Sequence, residues 1–356
     1  MSEPVRIVHV ETKLPAFREE AATILTYLEK WMQGQTERDR EKARRIFRNS
    51  GVQARHSILS IDEVFSSKTF AQRNDVFIQE MIPLAESMLL QALNNAGWRP
   101  TQVDYIITTS CTGIMIPSLD AYLVNRLKMR GDVVRLPVTE MGCAGGTSGL
   151  TYAYELLKAK PGKRAVVLSF ESPTSTFQDA DFSFTNIVSA AIFGDGLACT
   201  LLSTAPEDQQ PNQAEIQDTR MYHFFDEERM MGFDLRENGL HIVLDPGVPL
   251  KIESHFPQIL PPFLSDLGWD WSEIDHFVFH PGGKKIIEMV EALVHPLGKD
   301  LRHTRQVLNS VGNMSSATVM FVLKAVQEAG TQPGQKGIML SFGPGFSAQQ
   351  LALEWK

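Results

Sequence analysis

Cysteine is scarce in this chain: Cys111, Cys143 and Cys199 are the only three among 356 residues. An odd number cannot all pair, and no C-x-x-C spacing is present. A disulfide framework and a zinc-ribbon type of metal site are both disfavoured, so no metal is expected. Free thiols in a reducing compartment are the simpler expectation. Positive charge is also in deficit, with 34 Lys and Arg against 42 Asp and Glu and a net charge of −8. That balance argues against bulk binding of nucleic acid, which needs a basic face. No apolar run approaches the roughly 20 residues of a bilayer span. The opening MSEPVRIVHVETKL lacks the apolar core of a secretory signal. The expectation is a cytoplasmic protein without a membrane span.

What is present is ordinary globular composition, 43% hydrophobic and 21% charged, and a length that suggests about two domains. Residues 16–56 are charged and periodic, and Thr36-Glu-Arg-Asp-Arg-Glu-Lys-Ala-Arg-Arg-Ile-Phe-Arg reads as a basic amphipathic helix, most simply a solvated face. A second helix is predicted over 76–96, ending at Gly97. Short β-rich runs follow at 104–111, 163–171 and 197–203. Between the first two lies a predicted helix over 147–160, with Leu150, Ala153, Tyr154 and Leu157 on one face. Residues 205–220 are polar and proline-bearing, a predicted surface connection between halves 1–220 and 221–356. Beyond it the pattern returns: a strand at 276–280, helices over 284–294 and 315–329, and closing strands at 337–345 and 351–355. Strands alternating with helices predict an α/β fold, and the recurrence suggests an internal duplication.

Three polar residues sit at a strand end or a helix start. Cys143 lies in Gly142-Cys-Ala-Gly-Gly ahead of a helix, where unsatisfied N–H groups and the positive helix end favour a thiolate. His280 closes an apolar strand, and Asn313 precedes the last long helix. Each has an ordinary alternative: a packed thiol, a structural imidazole, a helix cap. Together they supply a nucleophile, its base and a donor for a developing oxyanion. Papain-like proteases use the same three residue types, so the trio fixes a chemistry and not a substrate.

The surrounding strings carry more. Gly142-Cys-Ala-Gly-Gly, Phe193-Gly-Asp-Gly, Phe279-His-Pro-Gly-Gly, Gly312-Asn-Met-Ser-Ser-Ala-Thr and Phe342-Gly-Pro-Gly-Phe stand in the order found in type III polyketide synthases. The chain resembles that family over nearly its whole length, and Ser110-Cys-Thr-Gly looks closer to its bacterial branch. The resemblance implies a thiolase-like fold, a duplicated αβαβα core, usually in a homodimer. It implies iterative decarboxylative Claisen condensation of malonyl-CoA onto an acyl-CoA starter, then cyclisation to a pyrone, resorcinol or phloroglucinol type of product. No cofactor is implied beyond these CoA thioesters. Cys143 would carry the chain as a thioester, His280 would hold it as a thiolate–imidazolium pair, and His280 and Asn313 would donate to the malonyl thioester carbonyl. The substrate cavity would be lined by Phe193 as gatekeeper with Cys111, Thr112, Thr176, Phe233, Ile242 and Gly343. Lys42, Arg45 and Arg48 on the basic helix would meet CoA phosphates, and Gly282 and Gly283 would allow close approach.

Departures from the family pattern bear on specificity. Thr147 stands where the second glycine of a pair is usual. Phe233 replaces a plant cavity glycine, Ile242 a second phenylalanine, and Cys111 a threonine, so a plant-type flavonoid product is not expected. Two other readings compete: a single-condensation enzyme like ketoacyl-ACP synthase III, and a non-catalytic acyl-CoA-binding protein on a thiolase fold. The latter has no need of a nucleophile.

Overall fold

The computed structural model describes residues 3–356. Its strands are β1 (Val5–Lys13), β2 (Phe17–Glu20), β3 (Ala54–Ser57), β4 (Tyr105–Thr109), β5 (Val134–Val138), β6 (Arg164–Glu171), β7 (Gly196–Ser203), β8 (Ala214–His223), β9 (Met231–Arg236), β10 (Gly239–Leu244), β11 (Ile274–Phe279), β12 (Lys336–Gly343) and β13 (Ser347–Trp355). Nine of them form one mixed sheet in the order β11-β12-β13-β8-β1-β7-β6-β4-β5. The pairing repeats. From β4 through β6 and β7 to β1 it runs parallel, antiparallel, antiparallel, and from β11 through β12 and β13 to β8 it does the same. The two runs meet where β1 pairs antiparallel with β8, at Val5↔Ile216, Arg6↔Glu215 and Ile7↔Ala214.

Alternation along the strands sorts side chains into layers. Tyr105, Ile107, Ala165 and Val167 face a central cluster with Met339, Leu351, Leu353 and Trp355 from the other half. Two helices fill that centre. Gly145–Ala159 contributes Leu150, Ala153, Tyr154 and Leu157, the face expected from its spacing, and Thr318–Glu328 contributes Val319, Val322, Leu323 and Val326. Ile106, Val166, Leu168 and Leu197 face outward onto the helix Phe70–Asn95, while Ile338, Leu340 and Ala352 face outward onto Val248–Leu267 and Lys284–Val294. Helices lie outside each run of the one sheet and between the two runs, which is the αβαβα thiolase-like arrangement.

Phe70–Asn95 is the one helix among the described residues long and apolar enough, by length and composition alone, to cross a bilayer. Its Phe77, Met81, Ala85, Met88, Leu89 and Leu93 are instead buried in the outer core of the sheet. It begins six residues before the sequence suggests, because Thr69 and Gln72 form a reciprocal capping box.

The stretch 205–220 departs from the expectation of a surface connection. Only its first part is a turn, and from Ala214 onward it is β8, the seam of the sheet. Ala214 and Ile216 alternate with polar neighbours and are buried, a period-2 signal too short to stand out among the glutamines. Residue 220, where the halves were expected to divide, lies inside that strand.

Candidate active site

Cys143 sits in a single 3-10 turn, Gly142–Ala144, that runs directly into the central helix Gly145–Ala159. The helix thus starts two residues earlier than its sequence periodicity suggests. Gly146 explains the close approach: a Cβ there would lie 2.3 Å from the Ser316 carbonyl oxygen of the other central segment. Thr147, in the unusual position, does not disturb the turn. It is fully buried one step into the helix, and its Oγ1 lies 2.7 Å from Ser341 Oγ on β12.

Asn313 follows the helix Arg302–Val311 and Gly312. Its backbone N–H donates to Ile192 O at 2.8 Å, and its carbonyl accepts from Gly194 N at 2.9 Å, so it is pinned to the segment that carries Phe193. Its side chain is oriented as firmly. Oδ1 accepts from Ser315 N at 2.9 Å and Thr318 Oγ1 at 3.2 Å, which leaves Nδ2 as the free end, 3.9 Å from Cys143 Sγ. The Ser315 N–H can only donate, which fixes which end of the Asn313 amide is oxygen.

His280 comes straight after β11, with its N–H on Leu340 O at 2.9 Å. It is 4% exposed, and neither ring nitrogen has a hydrogen-bond partner. Burial pushes its pKa down to about 3. Burial likewise pushes the Cys143 thiol up to about 12, against smaller opposing hydrogen bonds from Ser315 and Asn313. The thiolate–imidazolium pair stays what the resemblance implies, since these shifts act on each group taken alone and Cys143 itself is only half-buried. No hydrogen bond joins the two groups, no carboxylate orients the imidazole, and burial favours the neutral form of each.

A buried carboxylate lies beside them that sequence reading passed over. Glu171, at the end of β6 and fully buried, accepts from Thr112 Oγ1 (2.6 Å), Ser316 Oγ (2.5 Å), Cys111 N (3.1 Å) and Ser110 Oγ (3.3 Å). Burial raises its pKa, and its charge raises those of Cys111 and Cys143 in turn. Ser315 Oγ lies 3.4 Å from Cys111 Sγ and also hydrogen-bonds Cys143. The signal available in sequence was a lone acid closing the apolar run Val-Val-Leu-Ser-Phe-Glu.

These groups open on a pocket whose empty space, with the solvent at its mouth included, is about 770 Å³. Cys143, His280 and Asn313 all line it, as do Phe193, Cys111, Thr112, Thr176, Phe233, Ile242 and Gly282. Phe233 and Ile242 face each other across the β9–β10 hairpin. Gly343 is not on the wall. A Cβ there would meet Met141 O at 2.5 Å and Ala144 Cβ at 2.6 Å, so it lets β12 approach the nucleophile turn from behind, while its neighbour Pro344 lines the cavity. Gly283 is also set back, as the N-cap of Lys284–Val294.

The basic helix is Glu37–Asn49, capped by Thr36 and seated on Ala43 and Phe47. Lys42, Arg45 and Arg48 are exposed on it, and none lines the cavity. Lys42 Nζ lies over the Phe184 ring at 3.2 Å, and Arg48 is held by Glu41 at 2.5 Å. Arg45 has no ion pair among the described residues. Among those residues there is also no cluster of His, Cys, Asp or Glu able to hold a metal ion.

Residues 7–206 match the family model of the N-terminal domain of chalcone and stilbene synthases, and residues 218–354 match that of the C-terminal domain. A 1,3,6,8-tetrahydroxynaphthalene synthase of Streptomyces peucetius subsp. caesius is 36% identical over 320 residues, 89% of this chain and 84% of the relative. A phloroglucinol synthase of Pseudomonas fluorescens is 29% identical, covering 88% of this chain and 89% of the relative. Among solved structures, the tetrahydroxynaphthalene synthase of Streptomyces coelicolor A3(2), a bacterial type III polyketide synthase, superposes with a TM-score of 0.92 at 26% identity and 99% coverage of both chains. PKS-I of the brown alga Ectocarpus siliculosus shares the fold, with a TM-score of 0.91 at 24% identity and coverage of 100% and 99%. Fold, cavity and sequence agree, and the chain belongs to the chalcone and stilbene synthase family of type III polyketide synthases.

Proposed function

We propose that Cys143 is the acyl carrier of an iterative malonyl-CoA condensation and that His280 and Asn313 act on both of its half-reactions. The Asn313 Nδ2 held 3.9 Å from Cys143 Sγ carries the reading, because an amide fixed there has its donor beside the reacting sulfur. In loading, the thiol attacks the acyl-CoA carbonyl while its proton passes to His280. The new C–S bond replaces the one to CoA, which leaves with that proton. Burial disfavours either charge alone, so thiolate and imidazolium form together, as a pair, when substrate enters. In extension, malonyl-CoA loses CO2 and its electron pair moves onto the thioester oxygen. Donors from His280 and Asn313 to that oxygen lower the barrier, by about 3–4 kcal/mol for one well-placed donor. The resulting carbanion attacks the Cys143 thioester, and the sulfur is released for reloading.

Phe193 forms an apolar wall beside the reacting groups, where loss of the carboxylate as uncharged CO2 is favoured. Lys42 and Arg45 meet CoA phosphates in this reading, with Arg48 partly spoken for by Glu41. No metal or further cofactor takes part. The homodimer follows the family resemblance, and Ile116, 91% exposed on a loop that Asn74 holds through Ile114, offers an apolar contact point. A reducing, cytoplasmic setting suits the free thiols. Cyclised aromatic products such as those named for the bacterial relatives are the expected class.

The test is incubation with labelled malonyl-CoA and a panel of acyl-CoA starters, read by mass spectrometry. Wild type should release CO2 and give cyclised products. Cys143→Ala should abolish extended products while still binding CoA esters. Turnover at the wild-type rate by that variant would remove Cys143 from the mechanism.

A further inference from the structure

The β9–β10 hairpin carries Phe233 and Ile242 into the cavity, yet it stands apart from the nine-stranded sheet as a separate two-stranded ribbon. A lone hairpin is marginally stable in water, so something else must fix how far it leans over the growing chain. One buried cation reaches it from outside the cavity. Arg73, in the first turn of Phe70–Asn95, is 5% exposed. Its Nη2 donates to Asn238 O at the hairpin tip at 2.7 Å and to Gln178 Oε1 at 3.2 Å, and its Nη1 donates to Phe177 O at 3.1 Å. Asp179 balances the charge at 3.6 Å.

Gln178, 2% exposed, completes the link. Its Nε2 donates to Thr176 O at 2.9 Å and to Leu240 O at 3.0 Å. One amide thus ties the cavity residue Thr176 to the strand that carries Ile242. The backbone has made room for this contact. Gly239, at φ +126°, opens that strand, and a Cβ on it would sit 3.1 Å from Phe70, 3.4 Å from Gln178 Nε2 and 3.6 Å from Arg73 Nη2. A buried guanidinium that lost these acceptors would be costly, so the clamp holds its partners firmly.

We propose that Arg73, acting through Gln178, is a positioning residue that sets the gap between the Thr176 loop and the Phe233/Ile242 hairpin, and so sets how long a chain the cavity accepts before cyclisation. Arg73 touches neither sulfur nor substrate. Its effect is on the spacing of two walls, which should appear in what is made more than in whether the chemistry runs.

The inference rests on the polyketide synthase activity, and wild-type product formation from malonyl-CoA tests that separately. Arg73→Met, Arg73→Lys, Gln178→Leu and Gly239→Ala would then be given the same starter panel, with products quantified at equal malonyl-CoA consumption and folded fraction measured by calorimetry. The expected result is a change of threefold or more in the ratio of longer to shorter products for Arg73→Met and Gln178→Leu. A smaller change is expected for Arg73→Lys, which keeps the charge but not the forked reach, and a shift in the same sense for Gly239→Ala, which moves the tip without removing charge. Should Arg73→Met fail to fold, Gln178→Leu and Gly239→Ala carry the test. An unchanged product ratio in every folded variant, with total turnover falling only as stability falls, would overturn the proposal.

Discussion

At the scale of single residues, burial acts on Cys143 and His280 in opposite directions, raising the thiol to about 12 and lowering the imidazole to about 3. Each shift, taken alone, favours the uncharged form at neutral pH, so little thiolate is expected in the free enzyme. Below the thiol pKa the thiolate fraction grows tenfold per pH unit. Inactivation of the free enzyme by iodoacetamide should therefore keep rising from pH 6 to 9 with no plateau, and at pH 7 should be slower than for a free thiol of pKa about 8.5. A rate already level at pH 6–7 would show that His280 holds the Cys143 proton before substrate arrives. The second outcome is the one the sequence resemblance implies, and the first follows from burial. Sequence placed the cysteine at a helix start, which favours charge, but not in a cavity where burial and the charge of Glu171 oppose it.

At the scale of elements, the contact between the two central helical segments sets the position of Cys143. Gly146 faces the Ser316 carbonyl, with Met320 Cε at 3.1 Å and Val319 Cγ1 at 3.2 Å behind it. Gly146→Ala gains about 1 kcal/mol of helix propensity, but the added methyl meets a backbone atom that cannot rotate away. Overpacking of this kind costs about 1–3 kcal/mol or more. The variant should unfold at lower urea concentration and lose product formation as Ser316 is pushed off Glu171; a midpoint at or above wild type would mean the segments separate freely. How much of this level is readable depends on range. The strands at Tyr105–Thr109 and Arg164–Glu171 and the helix Lys284–Val294 follow from local pattern alone. The helix Val248–Leu267 does not, because Pro257, Pro261 and Pro262 lie inside it and local signals argue against it. Its burial of Phe256, Leu260 and Phe263 against β12 outweighs them. The Arg73–Gln178–Asn238 clamp joins residues more than a hundred positions apart, and nothing local marks its members as partners.

At the scale of the whole molecule, the duplication visible in strand pairing raises the question whether the halves are separate folding units. Their direct strand contact is small, three residue pairs between β1 and β8. The central layer is shared, however: one cluster draws Tyr105, Val167 and Leu150 from the first half and Val319, Met339, Leu351 and Trp355 from the second. Each central helix thus loses apolar cover if the other half unfolds, at roughly 25 cal/mol for every Å² exposed. Asn313 of the second half is moreover pinned by backbone hydrogen bonds to Ile192 and Gly194 of the first, so Cys143, His280 and Asn313 come together only when both are folded. Scanning calorimetry should accordingly show a single transition, coincident with loss of near-ultraviolet circular dichroism. A fragment beginning at Ala214 should be aggregated or unstructured when expressed alone. Two resolved transitions, or a fragment giving a dispersed amide spectrum, would mean that each half carries a sufficient core and that the shared layer only docks them.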